Sequence, residues 1–112
     1  MLPSRGRRDS MESRFFQRVI LRHKIEALTN NGPFSGVLEN ISLGGVFIRT
    51  DKSLSLGDQM EINIPIHNGF GKSIFYAKVS AIRREQHGLA FKFIDLDPKN
   101  FWTLQSFIKA SI

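Results

Sequence analysis

The sequence contains no cysteine, and only one tryptophan and one tyrosine stand among its 112 residues. Without cysteine it has no disulfide, no thiolate nucleophile and no cysteine-based metal site, which suits a reducing compartment. No apolar run approaches the ~20 residues that a membrane-spanning helix needs. The N-terminus also lacks the apolar stretch of a signal peptide. We therefore expect a cytoplasmic protein with no membrane span.

Acidic residues are few, because 10 Asp and Glu face 16 Lys and Arg, which leaves a net charge of +6. This balance favours an anionic partner without identifying the anion. Half of the excess lies in residues 1–18, where five arginines oppose two acidic residues (Arg5, Arg7, Arg8, Arg14 and Arg18 against Asp9 and Glu12). Turn-forming residues accompany these arginines, so we expect a flexible basic N-terminal arm over 1–13 and a single domain over 14–112.

Recognisable catalytic patterns are also missing. The sequence has no GxxxxGK phosphate loop, no HExxH helix and no nucleophile-elbow serine. Its three histidines, His23, His67 and His87, fall on separate predicted elements, which argues against a metal triad. Asp95 and Asp97 precede a predicted helix, where capping explains them better than acid–base chemistry. We predict no enzyme, no metal and no cofactor.

Short strands with period-two alternation dominate the rest of the chain. In residues 19–27 the apolar positions alternate with Arg22, Lys24 and Glu26, which is typical of a half-buried strand. Turn clusters separate further strands predicted at 34–39, 46–50, 59–66, 73–84 and 89–94. In the fifth strand, Ile74, Tyr76 and Ala81 to Ile82 are among the apolar positions. Six strands with no helix between them predict an all-β fold, a small antiparallel six-stranded β-barrel.

The C-terminus alone has helical spacing. Asp97 is a good N-cap and Pro98 a good first helical residue, and apolar side chains then recur at Phe101, Leu104 and Ile108. This face is expected to plug or flank the barrel. A helix that binds a protein partner is the alternative, which an exposed Trp102 would favour.

Two motifs carry the chemistry. The first is Arg14-Phe-Phe-Gln-Arg18, and the second is Asn40-Ile-Ser42-Leu-Gly44-Gly45. Arginine pairs bidentately with phosphate or with guanine O6 and N7 and can stack on a base. Asn and Ser add an amide and a hydroxyl for the remaining base edge. The glycine pair is expected to allow φ > 0 and a close approach of backbone to ligand.

At these residues the chain resembles the PilZ family, whose signature is RxxxR followed by [D/N]xSxxG. The resemblance runs from about Arg14 to the C-terminus. It implies a small β-barrel that binds the bacterial second messenger cyclic di-GMP and controls motility, biofilm or surface behaviour through a downstream protein partner. The ligand-binding residues that it implies are Arg14, Arg18, Asn40, Ser42, Gly44 and Gly45.

Two departures from the family pattern leave alternatives open. Many binders in the family carry another arginine just before the first motif arginine, and Ser13 stands there instead, so one messenger molecule or a stacked pair remains possible. Asn40 is neutral and offers no carboxylate to guanine. Two other functions fit the sequence: a basic barrel that binds single-stranded nucleic acid, and a PilZ-like adaptor that does not bind the messenger.

Overall fold

A computed structural model describes residues 17–68 and 71–111, so the predicted arm and Arg14 lie outside the described residues. Six strands precede one helix along this part of the chain: β1 Val19–Thr29, β2 Gly32–Ile41, β3 Gly45–Arg49, β4 Gln59–Asn68, β5 Gly71–Glu85, β6 Gly88–Ile94 and α1 Pro98–Ala110. The predicted strands and helix are all present. Each strand extends beyond or matches its sequence-based range to within a few residues.

The strands form one antiparallel sheet in the order β1-β2-β3-β6-β5-β4. Five hydrogen-bonded ladders join neighbours, and β1 packs against β4 without a ladder among the described strands. The sheet therefore curls into a nearly closed barrel, as the sequence predicts. Side-chain packing rather than main-chain pairing completes the ring.

Alternation places the core inside this barrel. Met60, Ile62, Ile64 and Ile66 on β4 are all buried, as their even spacing predicts. Phenylalanines fill much of the centre, where the rings of Phe34 and Phe91 pack edge to face with their centroids 6.1 Å apart. The outward positions of β5 differ from a simple apolar reading of the sequence, because Ile74, Tyr76 and Ile82 are exposed. The inward side of β5 carries Ala81, as predicted, together with Phe75, Ala77 and Val79.

Helix α1 begins where the sequence predicts. Asp97 is the N-cap and accepts a hydrogen bond from the Asn100 backbone N–H at 2.7 Å. Leu104, Phe107 and Ile108 are buried against the barrel, while Trp102 is 68% exposed. The helix therefore covers the core and also presents the exposed aromatic side chain that favours partner binding. No helix in residues 17–68 or 71–111 has the length and apolar character to cross a membrane.

Positive φ angles among the described glycines occur at Gly32, Gly57 and Gly71. The prediction that the glycine pair Gly44–Gly45 takes φ > 0 is therefore wrong. A different constraint applies to Gly45, which lies at the start of β3 opposite Lys92 of β6. A Cβ at Gly45 would stand 1.9 Å from the Phe91 carbonyl oxygen. Glycine is required there by the close approach of two strands of the same chain.

Candidate functional site: an arginine-lined cleft

The second motif forms a shorter connection between β2 and β3 than the sequence predicts. Asn40 belongs to β2 and Gly45 to β3, so the link consists of residues 42–44 alone. The Ser42 backbone N–H donates to the Gly45 carbonyl at 2.9 Å, and the Gly44 N–H donates to Ser42 Oγ at 3.2 Å. Ser42 is 7% exposed. Its side chain therefore holds the turn, and its hydroxyl hydrogen is free to donate because Oγ acts as the acceptor in that bond.

Arg18 is brought to this turn by the β1–β2 ladder. Val19 pairs with Ile41 and Ile20 pairs with Asn40, so Arg18 leaves β1 beside the end of β2. Its guanidinium donates from Nη1 to Asn40 Oδ1 at 2.8 Å. Arginine has five N–H donors in a planar fork, so the remaining donors stay available to a ligand. Asn40 thus orients a cation without neutralising it.

A cleft of about 300 Å³ lies next to these groups. Four motif residues line it, namely Arg18, Ser42, Gly44 and Gly45, and the remaining walls come from Val46, Ile82, Arg83, Ala90 and Phe91. We call this the arginine cleft. Of the predicted site residues in the described chain, only Asn40 is outside the lining, and it reaches the cleft through its bond to Arg18. The structure therefore brings Arg18 of the first motif together with residues of the second motif.

Three irregularities in the ladders flank this cleft. The register shifts between Ile20 and His23 in β1, between Leu38 and Asn40 in β2, and between Ala81 and Arg83 in β5. Bulges of this kind bend a strand and re-aim its side chains, and they are common beside binding sites. Here each shift occurs close to a residue of the site.

Arg83 is the cleft residue that sequence reasoning missed. It follows the bulge in β5, where strict alternation no longer indicates which side chain points outward. Its Nε donates to Glu85 Oε2 at 2.7 Å, and half of its side chain is exposed. The sequence signal was slight: an Arg83-Arg84 pair at the end of a strand. Arg84 instead donates to the Leu54 carbonyl at 3.0 Å.

Few acidic groups compete within the arginine cleft. Within residues 17–68 and 71–111, no carboxylate lines it. Glu39, next to Asn40 in sequence, is paired with Arg49 at 3.2 Å. In the part of the chain that the structure describes, the ion pairs are Arg49–Glu39 and Arg83–Glu85, so Arg18 has no carboxylate partner there. The cleft is suited to an anion with several acceptor oxygens.

Among residues 17–68 and 71–111, no three His, Cys, Asp or Glu side chains come together in a group that could hold a metal ion. His67 and His87 are exposed and His23 is half-buried, each on a different strand or turn. The arrangement presents cations, an amide, a hydroxyl and backbone groups.

Comparisons with known proteins agree with this fold. The family model described as PilZ domain matches residues 12–110. A solved structure, the crystal structure of the PilZ domain of CeSA from a cellulose synthesizing bacterium, superposes with a TM-score of 0.59 at 17% sequence identity. That match covers 80% of this chain and 91% of the other. No curated protein matches the chain.

Proposed function

The chain belongs to the PilZ domain family, and on that premise we propose that it is a receptor for cyclic di-GMP that binds in the arginine cleft. PilZ domains are generally receptors rather than enzymes. The observation that carries the proposal is a cleft lined by Ser42 and by Arg18, which Asn40 holds in place, with no carboxylate among the described residues that line it. Cyclic di-GMP presents two guanines and two phosphates in a compact frame, which suits this combination of donors.

Each motif residue has a separate role in this proposal. Arg18 and Arg14 clamp phosphate and guanine, with one guanidinium stacked on a base. Asn40 holds the Arg18 fork in place and, with the Ser42 hydroxyl, reads the guanine edge. Gly45 allows β3 to lie close against β6, and this contact fixes the position of the turn through Gly44. The family resemblance is the source of the role of Arg14.

We further propose that the ligand orders the N-terminal arm onto the barrel. A charge-assisted hydrogen bond contributes ~1.5–3 kcal/mol, whereas fixing one backbone residue costs ~1–2 kcal/mol. Several contacts are therefore needed before the arm closes, and the two-guanine ligand supplies them. The closed arm would present a new surface to a downstream protein partner, which makes the messenger a switch.

Amide hydrogen exchange tests this closing step. Residues before Val19 should exchange fast without ligand and more slowly at saturating cyclic di-GMP, while β1 should be protected in both states. The physical reason is that β1 is already paired with β2, whereas the arm gains its contacts from the ligand. Unchanged exchange over 14–18 in the liganded protein would rule out arm closure while leaving binding intact.

Calorimetry tests the binding itself. We expect cyclic di-GMP to bind more tightly than GMP, GTP or ATP, because a mononucleotide cannot offer two guanines and two phosphates at once. A short single-stranded oligonucleotide serves as the competing ligand. Equal or tighter binding of a mononucleotide or of the oligonucleotide would contradict the proposal, and no binding of any would favour an adaptor.

The core phenylalanines and Tyr76 do not support the nucleic-acid alternative. Phe34, Phe75 and Phe91 are fully buried and cannot serve as stacking platforms. Tyr76 is exposed, yet it lies beside Asp95 and Asp97 in a second cleft. Acidic side chains there would repel a phosphate backbone.

A further inference from the structure

The position of Arg83 raises a question that the two motifs leave open. It belongs to β5, whereas Arg18 immediately precedes β1, and in the sheet β2, β3 and β6 lie between these two strands. Both side chains nevertheless line the arginine cleft. The cleft therefore has a cation at each flank, and the motifs account for only one of them.

The bulge in β5 explains how Arg83 comes to face the cleft. Before the bulge the buried apolar residues of β5 are Phe75, Ala77, Val79 and Ala81, at two-residue spacing, and Ser80 is buried as well. The register then shifts between Ala81 and Arg83, and Arg83 pairs with Ala90, which also lines the cleft. The extra residue, Ile82, is exposed at 44% and lines the same cleft. A bulge at this position thus turns Arg83 toward the site.

Arg83 differs from Arg18 in its partner. Arg18 is held by a neutral amide, whereas Arg83 is held by the Glu85 carboxylate at 2.7 Å. Both members of the second pair are largely exposed, with 55% and 41% of their side-chain surfaces accessible. Exposed ion pairs are weak and screened by salt, whereas an arginine bound to phosphate or to the guanine O6–N7 edge makes a directed, bidentate contact.

We propose that Arg83 is a third ligand-binding arginine of the cleft, and that Glu85 holds it until an anionic or guanine-bearing ligand replaces the carboxylate. This inference rests on the proposed function, because the ligand is cyclic di-GMP. Arg18 binds one end of the two-fold dinucleotide and Arg83 the other. A mononucleotide has no second end for Arg83, so this residue sets the preference for the cyclic dinucleotide. Glu85 lowers the affinity by competing for the guanidinium.

The test is a double-mutant cycle in the full chain, with cyclic di-GMP titrated by calorimetry. Arg83→Ala should weaken binding about tenfold or more, the loss of a charge-assisted contact. Arg22→Ala is the matched control, since it removes the same charge from an exposed position outside the cleft. Glu85→Gln should tighten binding about threefold, as the competing ion pair is lost. Glu61→Gln is its control on β4, and it should leave the affinity unchanged.

The cycle distinguishes a local exchange from a general charge effect. In an Arg83→Ala background, Glu85→Gln should no longer change the affinity, because there is no guanidinium left to release. GMP binding should be nearly insensitive to Arg83→Ala. Thermal unfolding of the four single variants and of the double variant should match the wild type, since every changed side chain is exposed.

Each outcome decides between the two proposals. A wild-type chain that does not bind cyclic di-GMP overturns the proposed function and the role of Arg83 with it. Binding that is intact in Arg83→Ala, or weakened no more than in Arg22→Ala, overturns the role of Arg83 alone. An equal effect of Glu85→Gln in both backgrounds would show that Glu85 acts through long-range charge and not by holding Arg83.

Discussion

The barrel carries two clefts of opposite chemical character, the arginine cleft and a second one beside the start of α1. The second cleft, about 190 Å³ in volume, is lined by Glu61, Asp95 and Asp97, with Lys78 as the one cation that the described residues contribute, and we call it the acidic cleft. Two of its polar side chains stabilise the local backbone: Asp97 caps the helix, and Asn100 Oδ1 accepts from the Tyr76 N–H at 3.3 Å. In the arginine cleft, by contrast, donors of Arg18 and Ser42 stay available.

This difference separates a polar site that stabilises the fold from the site that we propose binds the ligand. At the acidic cleft β6 ends at Ile94, which pairs with Lys78 of β5. Tyr76 lies beyond this end of β6, and its backbone N–H donates to the Asn100 side chain instead. At the arginine cleft the ladders continue but are interrupted by bulges. At the acidic cleft a polar side chain satisfies a backbone N–H. At the arginine cleft a bulge directs the Arg83 side chain outward.

The largest expected effect comes from Gly45→Ala, which would disrupt the contact between the two strands that line the arginine cleft. The new Cβ would lie 1.9 Å from the Phe91 carbonyl oxygen, so β3 and β6 must separate. We expect a loss of about 3 kcal/mol or more in the free energy of unfolding, together with loss of ligand binding. Urea denaturation measures it.

Gly32→Ala is the control for that substitution, since Gly32 has φ +112° but open space around it. Its cost is conformational strain of about 1–3 kcal/mol, with ligand binding intact in the folded fraction. A Gly45→Ala protein that is as stable as wild type would contradict the close-approach account.

Arg18→Ala tests whether ligand binding depends on the arginine cleft rather than on the acidic cleft. It should weaken cyclic di-GMP binding by ~2 kcal/mol or more, about thirtyfold, because charge-assisted contacts are lost. The unfolding free energy should barely change, since Arg18 is exposed. Lys78→Ala removes the same charge at the acidic cleft, and Arg5→Ala removes it from the arm. Equal weakening in all three variants would indicate diffuse electrostatics and would favour the nucleic-acid alternative.

Asp97→Ala should have the converse effect. Loss of the N-cap should lower the free energy of unfolding by about 1 kcal/mol, because the Asn100 N–H loses its acceptor. Cyclic di-GMP affinity should stay at the wild-type value. Thermal unfolding and calorimetry on the same preparation check both statements, and a large change in affinity would mean that the two clefts are coupled.

Ser42→Ala should have the smallest effect. The change removes one neutral hydrogen-bond partner of the Gly44 N–H and one donor to the ligand, so binding should weaken by about 1 kcal/mol. Calorimetry against Ser73→Ala, a serine on β5 outside the arginine cleft, provides the comparison. An unchanged affinity would assign Ser42 to turn structure alone.

Much of the fold was predictable because its strands keep period-two alternation, as at Ile62 and Ile64, and because Asp97-Pro98 begins the helix. Most of the candidate site was predictable from local motifs. Arg83 was not, since a bulge breaks the alternation that assigns side chains to faces. The reason for Gly45 was also missed, because a close approach between β3 and β6 is a contact between residues distant in sequence, whereas φ > 0 is the usual local reason for glycine.

The central claim is that the arginine cleft, and not the acidic cleft, binds cyclic di-GMP. A two-dimensional amide NMR titration of the full chain with cyclic di-GMP tests it most directly. The account predicts saturating shifts at Ser42, Gly44 and Gly45 and at the Arg83 amide, with Asp95 and Asn100 unaffected. Shifts confined to Asp95 and Asn100, or no saturable shift at the motif residues, would contradict it.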